Sequence, residues 1–117
     1  FGVADHLRSA LAPLAGRIDV AFVYGSVADG TDTANSDIDV MVVGAASFEE
    51  VVQALHRSQE ELRREVNPII FSMAEFKKKA AEKGSFVARV LREPKLFIQG
   101  TEHDIRKLAA NRKAKAA

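Results

Sequence analysis

A chain of 117 residues with 47% hydrophobic content has length for one apolar core and not for two, so a single domain over 1–117 is expected. A formal net charge of +1 argues against a uniformly basic nucleic-acid-binding surface, and the lack of cysteine removes disulfides and thiolate metal sites. No apolar run reaches membrane-spanning length and no basic-then-hydrophobic leader opens the chain, so the expectation is a cytoplasmic protein with no membrane partner.

Val3 to Ala15 reads as an amphipathic helix with Val3, Leu7, Leu11 and Leu14 on one face, kinked or ended early by Pro13. Ile18-Asp19-Val20-Ala21-Phe22-Val23-Tyr24 reads as a buried strand. Gly25-Ser26 follows at once. A glycine there turns without a Cβ penalty, so successive amides converge on an anion, and Ser26 adds a hydroxyl at a helix start. Alone, Gly-Ser after a strand is also an ordinary turn.

After a short polar loop, Ser36-Asp37-Ile38-Asp39 leads into a second strand, Ile38 to Val43. Side chains alternate along a strand, so Asp37 and Asp39 share one face and their charges repel. Mg²⁺ accepts a few carboxylates plus phosphate oxygens as its shell, which makes a cation the natural reason for this pair. The other reading of the pair is a solvated loop with Asp37 capping a turn.

Ser47 and Glu50 make a capping-box pattern before a long helix carrying Val51, Val52, Leu55 and Leu62. Val66 to Phe71 is the third core strand, and Ser72 with Glu75 repeats the capping pattern before a helix that Gly84 stops. Ser85 to Arg92 is a further helix before Pro94, Lys95 to Gln99 a short fourth strand, and a last helix begins at Thr101 or Asp104. The expected class is therefore α/β (α+β), with a mixed sheet of three to four strands and helices packed on it.

The pattern Gly25-Ser26, Gly30, then Ser36-Asp37-Ile38-Asp39 resembles the nucleotidyltransferase superfamily that includes DNA polymerase beta, especially its minimal bacterial and archaeal members. The resemblance runs from about Arg17 to Ile70; Val66-Asn67-Pro68, Glu75-Phe76 and Pro94 to Ile98 extend it to a subgroup of stand-alone-sized domains. It implies Mg²⁺-dependent transfer of a nucleoside monophosphate from an NTP to a hydroxyl of a protein, RNA or small molecule. Gly25, Ser26, Gly30 and Ser36 would bind the nucleotide, and Asp37 and Asp39 would be the catalytic ligands of two Mg²⁺ ions. In this subgroup the domain often follows an N-terminal winged helix-turn-helix, so a chain opening at Phe1 allows the expectation of a fragment whose partner is a DNA-binding domain or another protein.

Two departures from the family pattern stand out. Catalytic members usually carry a third carboxylate on the next core strand, where this chain has Asn67; an amide oxygen ligates a metal but is no general base near neutral pH. Glu65, two residues earlier, is the substitute if the register slips, or a solvated residue closing the run Glu60 to Arg64. Val27 and Asp29 stand where many relatives have arginines near the phosphates. The alternative function is accordingly a degenerate nucleotide-binding or regulatory module, and a third, Asp-x-Asp glycosyltransferase reading is disfavoured by size.

Other residues read as structural. His6, His56 and His103 lack metal-ligand spacing; Lys77, Lys78 and Lys79 form an exposed helix segment; Phe71, Phe76, Phe86 and Phe97 are core candidates. Arg106, Lys107, Arg112, Lys113 and Lys115 read as a solvated terminal helix. Tyr24 is a buried strand-end tyrosine, or a wall of the nucleotide pocket.

Overall fold

Apart from the exposed Asp19 and the half-buried Asp39, Ile18–Tyr24 (β1) and Ile38–Gly44 (β2) are apolar on both faces because both faces are covered, and they form the centre of the sheet. The fold comes from a computed structural model of the chain, which describes residues 2–108. The strand order is β3-β2-β1-β4, with β3 at Val66–Phe71 and β4 at Leu96–Gln99. β1 runs antiparallel to β2 and β4, and β2 runs parallel to β3, so the sheet is mixed.

Helix α1 (Val3–Leu11) and α3 (Phe48–Leu62) lie on one face, where Leu7, Leu11, Val51 and Leu55 meet Ala21, Val23, Val40 and Val42. The other face is covered by α4 (Met73–Ala81), α5 (Phe86–Leu91) and a helix over 102–108, α6. There Phe76, Val87, Val90 and Ile105 pack on Val20, Phe22, Tyr24, Met41 and Val43. Strand alternation thus puts Asp39, in step with Met41 and Val43, on the α4–α5 face together with Tyr24.

Several expectations are refined. α1 stops at Leu11, and Pro13 belongs to a separate 3₁₀ turn over Ala12–Arg17, where its missing N–H is an orphan donor in any case. α4 ends at Ala81, before Gly84 is reached. Lys95 lies outside β4. Its ammonium folds back to donate to the carbonyls of Leu91 (2.8 Å) and Glu93 (3.0 Å), closing the C-terminal end of α5. Phe86 reads as a core residue by its apolar character, yet it is 39% exposed, and Val52 on α3 is 38% exposed. Arg106 and Lys107 are exposed on α6, while Arg112, Lys113 and Lys115 lie outside the described residues. Among the described residues, no helix is long and apolar enough to cross a membrane.

Both capping boxes form. Ser47 Oγ accepts from the Glu50 amide at 3.1 Å while Glu50 Oε1 accepts from the Ser47 amide at 3.0 Å, and Ser72 with Glu75 does the same at 3.1 and 2.8 Å. Glu50 also accepts from both terminal guanidinium nitrogens of Arg17, Nη1 and Nη2, tying the start of α3 to the chain entering β1. The Arg17 hydrogen bond, aided by the Ser47 amide, lowers the Glu50 pKa from 4.5 to about 2. Because the folded-state value is depressed, this stabilisation is complete above about 4.5 and is lost as the pH falls toward about 2. Urea titrations of the wild type and Glu50→Gln should therefore differ at pH 6 and converge by about pH 2; a constant gap would remove the linkage.

Candidate functional site

β1 ends at Tyr24, and Gly25 turns the chain with φ +75° and ψ −154°. That backbone region is essentially confined to glycine. The turn opens a four-residue helix, α2 (Ser26–Asp29), of which Gly25 rather than Ser26 is the N-cap. The amides of Ala28 and Asp29 are taken by the Gly25 carbonyl, each at 3.0 Å, leaving Ser26 and Val27 as the helix-opening donors. Gly30 closes α2 in the left-handed conformation, its amide bonded to the Ser26 carbonyl.

The carboxylates arrive on β2, antiparallel to β1, with Asp39 paired directly with Tyr24. This register puts Gly25 against Asp39: a Cβ on Gly25 would lie 2.8 Å from Asp39 Oδ2. The Gly-Ser turn and the Asp-x-Asp pair are therefore one site, brought together by the pairing of β1 and β2. Asp37 is exposed and Asp39 half-buried. Partial burial raises the Asp39 pKa, the amide of Asn67 opposes the rise, and the charge of Asp37 adds to it.

Asn67 stands opposite Asp39 in the parallel β2–β3 register, and its Nδ2 donates to Asp37 Oδ2 at 3.1 Å. It thus sits on the carboxylate pair, at the position where the third acid was expected. Glu65 is exposed, ahead of β3; its carbonyl, not its carboxylate, is used, accepting from the Ile38 amide at 2.8 Å. Among the described residues, no group of three or more His, Cys, Asp or Glu is placed to hold a metal ion. The donor set is two carboxylates and one amide.

Ser36 has a structural role. Its hydroxyl accepts from the Thr33 amide at 2.9 Å and its amide bonds the Thr33 carbonyl at 3.1 Å, shaping the loop that delivers Asp37. Arg64 holds this loop from outside, donating through Nε to the Ser36 carbonyl (2.8 Å) and through Nη2 to Asp32 Oδ2 (2.9 Å). Sequence reasoning missed Arg64 and Asp32. Arg64 read as one more charge in the run from Glu60, and only its burial, with a side chain 12% exposed, distinguishes it. Replacing Arg64 with Met strands Asp32 and frees the loop, so stability should fall by about 1–3 kcal/mol in urea melts, and Arg64→Lys, with one point charge for two bonding directions, should recover only part.

Tyr24 walls the site from below. Burial, and secondarily the negative charge of Asp39, push its phenol up to about 12, so it remains a neutral hydrogen-bond donor. Its ring meets Phe22 edge-on at 6.3 Å and Phe86 at 5.8 Å. The histidines stay outside: His6 bonds Glu61 at 2.8 Å, His56 pairs with Glu60 at 3.1 Å, and His103 is exposed. Asp29, near the turn, accepts from both the amide and the hydroxyl of Thr31.

Residues 10–97 match the family model described as Polymerase beta, Nucleotidyltransferase. The chain belongs to this nucleotidyltransferase family. No curated protein sequence matches it significantly. Among solved structures, a chain of a toxin–antitoxin crystal structure with AMP-PNP is 17% identical, with a TM-score of 0.65 over 97% of this chain and 86% of that one. A chain of the tri-AMPylated Shewanella oneidensis HEPN toxin in complex with MNT antitoxin is 13% identical, with a TM-score of 0.57 over 97% and 83%. A chain of the MntA–HepT toxin–antitoxin structure is 12% identical, with a TM-score of 0.56 over 97% and 84%. These likenesses establish the nucleotidyltransferase fold.

Proposed function

We propose that this domain transfers a nucleoside monophosphate from an NTP to a hydroxyl group of a partner protein, with Asp37 and Asp39 as its catalytic carboxylates. The observation that carries this reading is the close approach of Gly25 to Asp39, which sets the Gly-Ser turn beside the acidic pair. A protein acceptor is favoured because one similar structure contains a tri-AMPylated toxin with its antitoxin.

Mg²⁺ suits the donor set: two carboxylates on one sheet face, with the Asn67 side chain beside them, offer the hard oxygen ligands that this ion takes. Asp37 and Asp39 would hold it, with the Asn67 amide oxygen available after a flip of its side chain. Bound there, a pair of Mg²⁺ ions would supply charge compensation to the triphosphate and to the attacking and leaving oxygens. The chain's own contribution is placement. Backbone amides of Ser26 and Val27 receive phosphate oxygens, Gly25 lets them approach, and Tyr24 closes off water on the apolar side. The acceptor oxygen then bonds to the α-phosphorus, the α–β bridging P–O bond breaks, pyrophosphate departs, and the acceptor proton passes to solvent.

A second reading, a regulatory module that binds nucleotide without turnover and works through a DNA-binding domain or partner protein, is favoured by Asn67 alone. It replaces the acid that would take the acceptor proton. The deciding experiment incubates the protein with each NTP, Mg²⁺ and a co-purified partner, measuring pyrophosphate release and a nucleotidyl adduct by mass spectrometry. An adduct on the partner supports transfer. Nucleotide binding by calorimetry without adduct supports the regulatory module, and no binding overturns both.

A further inference from the structure

One aromatic group beside the site is partly exposed, packed against the core-edge ring of Tyr24. Phe86 opens α5 directly after its N-cap, Ser85, and presents 39% of its surface to solvent, unlike the buried Val87 and Val90 that anchor the same helix. Its ring abuts Tyr24 edge-on at 5.8 Å, and Tyr24 in turn abuts Asp39. One turn along α5, the exposed Arg89 lays its guanidinium over the Phe86 ring, 5.6 Å from the centroid. The sheet pairing of Tyr24 with Asp39 and the helix packing on Tyr24 thus set a planar, cation-backed surface one ring beyond the carboxylates.

We propose that Phe86 and Arg89 form the nucleobase platform of this domain. The inference rests on the nucleotidyl-transfer reading above and specifies how that site selects its nucleotide. Aromatic rings and guanidinium planes are the two side-chain surfaces on which nucleobases stack. The platform carries no carbonyl or amide side chain, so it reads stacking area and not a base's hydrogen-bonding edge. Purine NTPs are accordingly preferred to pyrimidine NTPs, with little discrimination between adenine and guanine. Arg89 adds a cation near the site, where the Gly25–Gly30 segment contributes only the acid Asp29.

The test is calorimetry with Mg²⁺ and four probes, ATP, GTP, UTP and inorganic tripolyphosphate, on the wild type, Phe86→Ala, Phe86→Trp and Arg89→Ala. Thermal melts confirm that each variant folds. In the wild type, ATP and GTP should bind similarly and more tightly than UTP. Phe86→Ala should weaken ATP about tenfold and leave tripolyphosphate unchanged, since only the base loses its stacking partner. Phe86→Trp should retain ATP affinity, and its indole emission should change on ATP but not on tripolyphosphate. Arg89→Ala should weaken ATP more than tripolyphosphate. Equal ATP affinity in the wild type and Phe86→Ala overturns the platform while leaving the transfer site intact, as does a Phe86 effect confined to the KM of the acceptor. Failure of the wild type to bind either ATP or tripolyphosphate overturns the transfer reading and the platform with it.

Discussion

Asn substituted together at Asp37 and Asp39 is expected to abolish nucleotidyl transfer, lowering kcat/KM by about 10³-fold or more, while leaving the protein folded. Both carboxylates sit on one sheet face, and loss of their charge removes the groups that would neutralise metal and position the triphosphate. The same change relieves repulsion: Asp39 titrates above its ordinary range because it is partly buried and next to Asp37. Urea unfolding of the double variant should therefore give a midpoint equal to or above that of the wild type. Isothermal titration supplies the second arm, in which Mg²⁺-dependent NTP binding disappears. Retained Mg²⁺-dependent affinity would move the metal site elsewhere.

Gly25→Ala is expected to damage activity less severely than the aspartate pair and, unlike it, to cost stability. One methyl group must occupy a point 2.8 Å from Asp39 Oδ2, and the backbone must hold φ +75° with a side chain attached. A strained backbone position of this kind costs about 1–3 kcal/mol. Relief of the contact requires Asp39 to move, so transfer should fall by about 100-fold even in the fraction that folds. The double variant Gly25→Ala with Asp39→Ala separates the two effects. Shortening Asp39 removes the steric partner, so the melting temperature should recover in part while activity stays lost. No recovery would mean that the backbone conformation, and not the carboxylate contact, carries the whole stability cost.

Local chemistry made much of this protein legible from its residues. Ile18 to Tyr24 and Ile38 to Val43 read as strands because a strand covered on both faces is apolar over most of its length, here interrupted only by Asp19 and Asp39 near the strand starts. The starts of α3 and α4 were readable because a serine followed three residues later by a glutamate satisfies orphan amides using only nearby atoms. Pairing of Asp37 with Asp39 on one face follows from alternation, and Gly25 at a strand end announces an unusual turn.

Residues whose roles depend on distant partners were not legible. Asn67 was assigned to the metal site by family pattern; its hydrogen bond to Asp37 needs the parallel β2–β3 register, which no local signal encodes. Ser36 reads as a nucleotide ligand from the family pattern, and that its hydroxyl also accepts from the Thr33 amide depends on how the loop folds. Arg64 looked like surface charge until the fold placed it over Ser36 and Asp32. Phe86 looked like core because hydrophobicity alone does not tell which side of a short helix meets the sheet. The sequence by itself determined the strands, the helix starts and the identity of the acidic pair, since each follows from backbone geometry over a few residues. Only the tertiary structure decided that Gly25 touches Asp39, that Asn67 completes the acidic pair, and that Tyr24 and Phe86 flank it, because those contacts are made by strand pairing and helix packing between segments far apart in the chain.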